Sequence, residues 1–346
     1  MRRLALLLVA TALTLGTLEL VLRAAWVNPF AGSSPERVLL LRTQSADVDR
    51  EIDRRALGLD PPTVRFRTDS RGYVEPTRTR PDPEFTLAFQ GGSTTECLVV
   101  QEELRWPNRV AVELESLGFR VNALNAARAG NTVHDALVNL IEVVAADRPD
   151  VVLLMHAIND AGLLARGGYA LREPKPDGWR AGARWLEQTS SAHSSLAGFL
   201  RASLEHESLH ADAKRAQPDP LAYDQHVRAW LRTARAFGSE PVLITEPLSS
   251  LRNEFTPPWT DAESLAVFND RLRAIGVDEG AVVIDLAARL AGEPEFQRPE
   301  RLYYDGMHVN DAGARLYGRL VGEALARDVL PKLRAARASH SPQISR

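Results

Sequence analysis

The stretch FTLAFQGGSTTE, residues 85–96, decides the fold of this chain. Its first six residues, 85–90, form a short apolar run typical of a buried strand, and two glycines then turn the chain. Apolar residues at helical spacing follow over 106–117 and end at a glycine. The stretch therefore predicts a strand, a tight turn and a helix, the beginning of an α/β fold.

Strands and helices continue to alternate after this first unit. Such alternation implies a parallel sheet covered by helices on both faces. The run DVVLLMH is apolar throughout, as expected for a strand that is buried on both faces. We predict further strands at 120–125, 150–156, 241–246 and 281–286, and helices at 132–146, 261–275 and 311–330.

Three other segments complete the predicted organisation. Residues 29–83 are rich in Pro, Arg and Asp with little periodicity, and we interpret them as a lead-in or stalk with a small hairpin at 63–74. One catalytic domain then covers 84–333, with a mostly helical insertion at about 161–239 that could form a cap. The small, polar residues 334–346 are predicted to be a disordered tail.

The composition excludes several classes of protein. Apolar residues make up 45% and charged residues 25%, which argues against a disordered or multi-span membrane protein. The 42 basic and 45 acidic residues interleave, so no basic block favours nucleic acid as a partner. The single cysteine, Cys97, rules out an intrachain disulfide and a cysteine-based zinc cluster.

The N-terminus predicts a membrane anchor over residues 1–28. Of the 19 positions from Leu4 to Leu22, 14 are apolar, and two arginines precede them, which favours a cytoplasmic N-terminus and an exported body. Glu19 interrupts the run, but Arg23 lies one helical turn later and could pair with it. A cleaved signal peptide is the alternative. Either way, we expect the catalytic domain on the periplasmic or extracellular face.

Reactive residues lie directly after the predicted strands or before the last helix. In a parallel sheet, ligands bind at the carboxyl ends of the strands. That edge would bring together a hydroxyl nucleophile, a base, a carboxylate to orient the base, and hydrogen-bond donors. The residues are Ser93, Gly130, Asn159, Asp305 and His308.

In these blocks the chain resembles the SGNH, or GDSL-like, hydrolase family from about Glu84 to Leu330. The opening Gly-Gly-Ser-Thr-Thr and the anchor are similar to a bacterial membrane-anchored subgroup. Two departures bear on subgroup and substrate: Gly92 stands where the family usually has aspartate, and Ala157 replaces a common glycine. The resemblance implies a flavodoxin-like three-layer α/β fold. The matching blocks are Gly91-Gly92-Ser93, Gly130, Asn159 and Asp305-x-x-His308.

The residue types suit ester hydrolysis. A serine hydroxyl needs a base to take its proton, and we expect His308 to serve Ser93, with Asp305 holding the imidazole in one tautomer. The resemblance assigns the oxyanion hole to the backbone N–H groups of Ser93 and Gly130 and to the Asn159 amide. The substrate would be an O-acyl carbohydrate or lipid-like ester, with no cofactor. An O-acyltransferase acting on exported polysaccharide and a non-catalytic anchored binding protein are the alternatives.

Each block also has a plain structural interpretation. Ser93 to Glu96 matches a helix capping box, Gly130 a turn, and Asn159 a helix N-cap. Their joint occurrence at one sheet edge favours catalysis. Cys97 is interpreted as a small buried residue, and His156 as either structural or part of the site wall.

A competing motif lies in the predicted insertion. His206-Glu207-Ser208-Leu209-His210 matches the H-E-x-x-H zinc pattern. Acidic neighbours make this segment a solvated helix face, and the sequence indicates no particular third ligand. We therefore predict no metal in the catalytic site, although His206 and His210 could bind one incidentally.

Overall fold

The structure is a computed structural model that describes residues 2–26, 42–164, 190, 193–200, 220–256 and 262–340. The chain divides into two compact units. One comprises residues 1–40 and 170–215, and the other comprises 41–169 and 216–346. The predicted catalytic blocks all lie in the second unit.

The second unit is built on a five-stranded parallel sheet with the order β4-β3-β5-β6-β7. This is the flavodoxin-like order, so the predicted parallel α/β fold is confirmed. A separate antiparallel pair, β1 and β2, precedes the sheet. The strands are β1 (Asp49–Asp53), β2 (Thr63–Arg67), β3 (Phe85–Gly91), β4 (Val121–Asn125), β5 (Val151–Met155), β6 (Glu240–Ile244) and β7 (Val282–Ile284).

Helices cover the sheet on both faces. In the first unit, α1 covers Arg2–Ala25. The helices of the second unit that the structure describes are α2 (Ser93–Glu96), α3 (Trp106–Ser116), α4 (Val133–Glu142), α5 (Ile158–Leu164), α6 (Leu221–Ala236), α7 (Ala262–Asp278), α8 (Leu286–Ala291), α9 (Asp311–Asp328) and α10 (Leu330–His340). Buried residues of α3, α8 and α9 pack against one face, and those of α4, α6 and α7 pack against the other.

The strand β3 shows why the sheet is buried on both sides. Successive side chains of a strand point to opposite faces. Phe85, Leu87 and Phe89 enter the core on the α3 side, whereas Ala88 enters the core on the α4 side. All four are fully buried. The apolar run at 85–90 therefore fills two cores, as predicted for a parallel sheet.

The predicted insertion at 161–239 ends in a core helix rather than in a cap. Tyr223 and Trp230 of α6 are fully buried. The Trp230 indole N–H donates a 2.7 Å hydrogen bond to Gln90 Oε1 at the end of β3. This helix is the connection that returns the chain to β6. Residues 165–189 and 201–219, which include the H-E-x-x-H motif, lie outside the described residues.

The described part of the lead-in is not a stalk, which corrects the prediction for 29–83. An antiparallel hairpin pairs β1 with β2, and a further antiparallel bridge joins Thr68 to Val74 within the predicted hairpin at 63–74. Phe66 on β2 is fully buried, and so is Arg54 between the strands. Arg54 donates hydrogen bonds from Nη2 (2.9 Å) and Nη1 (3.2 Å) to Asp311. Buried apolar and charge-paired residues tie this segment to the catalytic unit.

The C-terminal segment also differs from its prediction. The helix α10 continues to His340, through much of the segment predicted to be a disordered tail. Arg334 Nη2 donates a 2.7 Å hydrogen bond to Glu84, and Arg337 pairs with Asp150. These ion pairs hold the helix although it has few apolar residues. Residues 341–346 lie outside the described residues.

The first unit begins with α1, where the sequence predicts the anchor. Among the helices that the structure describes, none has both the length and the hydropathy needed to cross a bilayer. The predicted pair forms, with Arg23 Nε 2.8 Å from Glu19 Oε1. Glu19 also accepts hydrogen bonds from the backbone N–H groups of Ser195 and Leu196. The transmembrane anchor over 1–28 is therefore not supported by the structure.

Candidate active site

The predicted catalytic blocks meet at the carboxyl edge of the sheet. Ser93 begins α2 directly after β3, and Asn159 lies in the first turn of α5 after β5. Gly130 lies in the loop that follows β4. The loop before α9 carries Asp305 and His308. Parallel strands end at a common edge, so residues distant in sequence become neighbours there.

Ser93, His308 and Asp305 form one chain of hydrogen bonds. Ser93 Oγ lies 2.8 Å from His308 Nε2, and His308 Nδ1 lies 2.7 Å from Asp305 Oδ2. The second Asp305 oxygen accepts 2.7 Å hydrogen bonds from the backbone N–H groups of Met307 and His308. A carboxylate bound at Nδ1–H leaves Nε2 of a neutral imidazole as the acceptor for the serine hydroxyl. This is the geometry of a base-activated nucleophile.

Tyr304 stacks on the imidazole of His308. The ring centroids are 5.5 Å apart and the planes differ by 6°. Burial raises the pKa of Tyr304, which keeps its hydroxyl neutral. The sequence indicates an aromatic residue beside Asp305, but nothing in the pattern shows that the ring would restrain His308.

Asn159 lies against the turn that carries the nucleophile. Its Nδ2 donates a 2.8 Å hydrogen bond to the carbonyl of Asn131. A Cβ added to Gly92 would lie 2.5 Å from the same nitrogen, so a side chain at position 92 would displace the Asn159 amide from this position. Glycine in place of the family's usual aspartate therefore leaves room for the amide beside residue 92.

Gly130 has a conformation that favours glycine. Its φ is +76°, in the left-handed region. A Cβ at this position would lie 2.9 Å from Arg42 Nη2. Arg42 reaches this loop from the lead-in and donates hydrogen bonds to the Asn131 side chain (3.1 Å) and the Ala129 carbonyl (3.0 Å). The loop that carries Gly130 is thus held by a residue outside the predicted catalytic domain.

Glu246, which is not among the site residues predicted from the sequence, connects two parts of the site. Its Oε1 accepts a 2.6 Å hydrogen bond from the Thr94 hydroxyl. Its Oε2 accepts 2.8 Å hydrogen bonds from the backbone N–H groups of Ala157 and Ile158. Burial raises the pKa of this carboxyl. The residue ends the predicted strand at 241–246, so a search of every strand end would have included it.

A cavity of about 180 Å³ opens beside Ser93 and His308. One side is formed by the segment after α2, including Cys97, whose thiol pKa burial raises to about 12. Cys97 is buried, as interpreted from the sequence, and is also part of the cavity wall. The lining residues are Ser93, Thr94, Glu96, Cys97, Leu98, Val99, Val100, Ala129, Tyr304, His308 and Val309.

Glu96 is the acidic residue of the cavity wall. Its residue exposure is 3%. Burial raises the pKa of its carboxyl. One carboxyl oxygen accepts a hydrogen bond from the Gln44 side-chain amide. Gln44 belongs to the lead-in, so the irregular segment before the first catalytic strand reaches the cavity wall.

Other histidines lie apart from this arrangement. His156 is buried, and burial lowers its pKa to about 4. It does not line the cavity. Over the ranges that the structure describes, no group of three His, Cys, Asp or Glu side chains is placed to hold a metal ion. The motif residues His206 and His210 lie outside those ranges.

Comparisons with known proteins give one family match. Residues 89–316 match the model of the GDSL-like Lipase/Acylhydrolase family. No curated protein matches the chain.

Several solved structures are similar to the chain. A lipase/acylhydrolase from Enterococcus faecalis is 17% identical, with a TM-score of 0.47 over 70% of this chain and 95% of that chain. The acetyl xylan esterase AlAXEase is 16% identical, with a TM-score of 0.47 over 69% and 99%. A catalytic mutant of an acetylxylan esterase from Geobacillus stearothermophilus is 17% identical, with a TM-score of 0.43 over 70% and 94%.

Proposed function

This chain belongs to the GDSL-like lipase/acylhydrolase family and is a carboxylic ester hydrolase, and from that premise we propose that it cleaves a small acyl ester through an acyl-enzyme on Ser93. The chain of hydrogen bonds from Ser93 through His308 to Asp305 carries the proposal. Three residues in this order supply a nucleophile, a base and an orienting carboxylate.

In the first step, Ser93 Oγ forms a bond to the acyl carbon while His308 Nε2 takes the hydroxyl proton. The carbonyl oxygen becomes an oxyanion in the tetrahedral intermediate. The bond from the acyl carbon to the alcohol oxygen then breaks, and His308 returns the proton to that oxygen. The alcohol leaves, and the acyl group remains as an ester of Ser93.

In the second step, water replaces the alcohol. The water oxygen attacks the acyl carbon while His308 takes a proton from the water. The bond from the acyl carbon to Ser93 Oγ then breaks, and His308 returns the proton to Ser93 Oγ. The acid is released and the enzyme is regenerated. Asp305 stabilises the imidazolium in both steps, because it accepts the Nδ1–H hydrogen bond at 2.7 Å.

The oxyanion would be held by the Asn159 side-chain amide and by the backbone N–H groups of Ser93 and Gly130. The position of the Asn159 amide against Gly92 supports this role. Donors fixed in place before the reaction need no reorganisation when charge develops, and one such donor contributes about 3 to 4 kcal/mol to catalysis.

Replacement of the nucleophile tests the function. We expect Ser93→Ala to abolish both hydrolysis of a short-chain aryl ester and labelling by a fluorophosphonate. Ser116→Ala is a matched control, since Ser116 lies on an exposed helix surface and its hydroxyl donates to the local Glu113 carbonyl. Activity and labelling that persist in Ser93→Ala would contradict the assignment.

The same acyl-enzyme could pass its acyl group to a sugar hydroxyl instead of water. An incubation with an acyl donor and candidate sugars separates these outcomes, because a hydrolase accumulates free acid and a transferase accumulates acylated sugar. We expect free acid to predominate.

We further propose that the enzyme works outside the cytoplasm, attached to the membrane by its N-terminal segment. The two arginines before the apolar run from Leu4 to Leu22 support this orientation. The test is cell fractionation combined with sequencing of the mature N-terminus. An intact N-terminus in the membrane fraction would support the anchor, a new N-terminus after residue 25 would support a signal peptide, and cytoplasmic protein would contradict export.

A further inference from the structure

We propose that Tyr304 is a positioning residue of the active site, whose ring stabilises the positive charge that His308 acquires when it takes a proton. The inference rests on the proposed ester hydrolysis and adds to it a residue that acts through the base rather than on the ester. It is carried by the stacking of two rings, by the loop that holds them together and by the charge that the reaction places on one of them.

The rings of Tyr304 and His308 are stacked. Their centroids are 5.5 Å apart and their planes differ by 6°, so the imidazole lies along the face of the phenol ring and does not meet it edge-on. The face of an aromatic ring carries partial negative charge, and it attracts a cation within about 6 Å of the ring centroid. An imidazolium therefore gains more from this contact than a neutral imidazole does.

The loop between α8 and α9 fixes this arrangement. An antiparallel bridge pairs Tyr303 with Val309, and the Tyr304 backbone N–H donates a 3.1 Å hydrogen bond to the His308 carbonyl. Residues 304 and 308 are thus opposite each other in a short hairpin, where paired side chains lie on the same face. The Asn253 side-chain amide donates a 2.8 Å hydrogen bond to the Tyr304 carbonyl, which ties the loop to a neighbouring segment.

The surroundings of the imidazole strengthen the attraction. The His308 side chain is 18% exposed, and both rings line the cavity beside Ser93, whose other walls are largely apolar. A charge that is largely removed from water interacts strongly with the groups that pack on it. Asp305 and Ser93 bind the two nitrogens at the edge of the imidazole. Its faces remain for other groups, and Tyr304 stacks on one of them.

The proposed reaction places positive charge on His308 in both steps. A group that stabilises the imidazolium more than the neutral ring lowers the barrier, because it acts on a charge that develops as the reaction proceeds. The same group also stabilises the protonated free enzyme, in which His308 cannot take the proton of Ser93. The ring of Tyr304 therefore raises the rate at neutral pH, and its advantage disappears at low pH, where His308 is already protonated.

Other titratable and charged groups around the imidazole are unchanged when Tyr304 is replaced. They come from the loop of His308 itself, from α2 with its C-cap, and from the segment after β6. They include Asp305, Glu96, Cys97, Glu246 and Arg252. A difference in pH dependence among variants at position 304 therefore reports the ring.

Four variants test the role of the ring. Tyr304→Phe keeps an aromatic face without the hydroxyl, and Tyr304→Leu removes the face. Tyr304→pentafluorophenylalanine keeps a ring of similar size, but its fluorine atoms withdraw electron density from the face. Phe237→Leu is a control for the loss of an aromatic ring, since Phe237 is exposed directly after α6.

The measurement is kcat/KM for a short-chain aryl ester from about pH 5 to about pH 9, the range in which histidines titrate. We expect Tyr304→Leu to lower the plateau at high pH by about 3- to 30-fold, the range of a partly desolvated cation–π contact. The acidic limb should move to lower pH by about 0.5 to 1.5 units, because the imidazolium is less stable without the ring.

The other variants should divide according to the charge on the ring face. We expect Tyr304→pentafluorophenylalanine to shift the limb in the same direction as Tyr304→Leu. Tyr304→Phe should stay within about twofold of wild type, because the faces of Phe and Tyr attract a cation similarly. Phe237→Leu should match wild type at every pH. Fluorophosphonate labelling over the same pH range provides a second readout, which does not depend on binding of the ester.

A purely structural role of Tyr304 predicts a different pattern. Tyr304→Leu would then lower kcat/KM by the same factor at every pH, and the fluorinated ring would behave like Phe. Either result would overturn the inference, and so would equal losses in Tyr304→Phe and Tyr304→Leu. Thermal unfolding shows which variants are folded. The comparison of the Phe and pentafluorophenylalanine variants, whose rings are similar in shape, decides the question even if Tyr304→Leu does not fold.

The outcomes separate this inference from the proposed function. An acidic limb that does not move in the variant series would overturn the inference while ester hydrolysis stands. If the wild-type protein hydrolyses no ester and takes no serine label, both the proposed function and the inference are wrong.

Discussion

The Thr94 hydroxyl donates a 2.6 Å hydrogen bond to Glu246, which lies 152 residues further along the chain. The same carboxyl group accepts hydrogen bonds from the backbone N–H groups of Ala157 and Ile158. One buried side chain therefore connects the helix that begins at Ser93 with the turn that carries Asn159. The proposed nucleophile and the proposed oxyanion donor therefore lie on two elements that the Glu246 carboxyl holds together.

We predict that Glu246→Ala lowers kcat much more than it changes KM. The substitution leaves two buried backbone N–H groups unpaired, at about 1–3 kcal/mol each, and frees α2 to shift relative to α5. Glu246→Gln should recover most of kcat, because its amide oxygen can accept from the backbone while its NH₂ group faces the Thr94 hydroxyl. Steady-state kinetics and urea unfolding measure both effects. An equal loss of kcat in both variants would contradict a positioning role.

We predict that Asp305→Asn lowers kcat by about 10³- to 10⁴-fold with little change in fold. Its remaining oxygen can still accept from Met307 and His308 backbone N–H groups, so the loop is retained. The amide NH₂ group, however, cannot accept a hydrogen bond from His308 Nδ1–H. His308 therefore adopts the tautomer with its proton on Nε2, which cannot act as the base for Ser93. Aryl-ester kinetics and thermal unfolding test this expectation. A loss of less than tenfold in a folded variant would show that Asp305 does not orient the base.

We predict that Gly92→Ala and Asn159→Ala impair the same step. The added Cβ would lie 2.5 Å from Asn159 Nδ2 and displace the amide. Loss of one oxyanion donor costs about 10²- to 10³-fold in kcat. Because both changes remove one interaction, the double variant should be little worse than Asn159→Ala alone. Losses that multiply in the double variant would show that the two residues act independently.

We predict that Asp311→Asn destabilises the protein in a pH-dependent manner. Burial tends to raise the pKa of Asp311, but the hydrogen bonds from Arg54 and Gln101 outweigh it and lower the pKa below its usual value. A lowered carboxyl pKa stabilises the folded state above the unfolded pKa of about 3.9, and this contribution is lost as pH falls through the folded value.

At neutral pH, we expect Asp311→Asn to lower the free energy of unfolding by about 3 kcal/mol, because Arg54 is left buried without its partner charge. The difference from wild type should shrink below pH 4. Urea unfolding at pH 7, 5 and 3.5 measures it, with the exposed Asp270→Asn as a matched control. A difference that is constant across this range would mean that the ionised form of Asp311 contributes nothing.

The site residues that could be predicted from the sequence lie at one edge of the parallel sheet. Strands of a parallel sheet end at one edge, so Ser93, Asn159 and the last block could be placed together before any coordinates were known. Glu246 also lies at the end of a predicted strand, so the same rule could have identified it. The short range of the pattern explains why: Ser93 and Asn159 lie within a few positions of a recognisable apolar strand, and Asp305 and His308 lie directly before the last predicted helix.

The parts that could not be predicted depend on contacts between distant segments. Gln44 and Arg54 lie in an irregular stretch whose Pro, Arg and Asp content also suits a solvated linker. Arg54 is buried and Gln44 is half-buried, and both positions depend on partners at Asp311 and Glu96. Polar and charged residues carry no periodic signal of such pairing. The helix α10 is similar, because ion pairs with Glu84 and Asp150 replace the apolar stripe that would have indicated it.

The contact between Gln44 and Glu96 joins the cavity to a segment outside the family match. That match covers residues 89–316, which include Ser93, Gly130, Asn159, Asp305 and His308. Gln44 lies before it, yet its side-chain amide donates a hydrogen bond to Glu96 in the cavity wall. A substitution at position 44 would therefore change the wall beside Ser93 while every residue of the matched region stays the same.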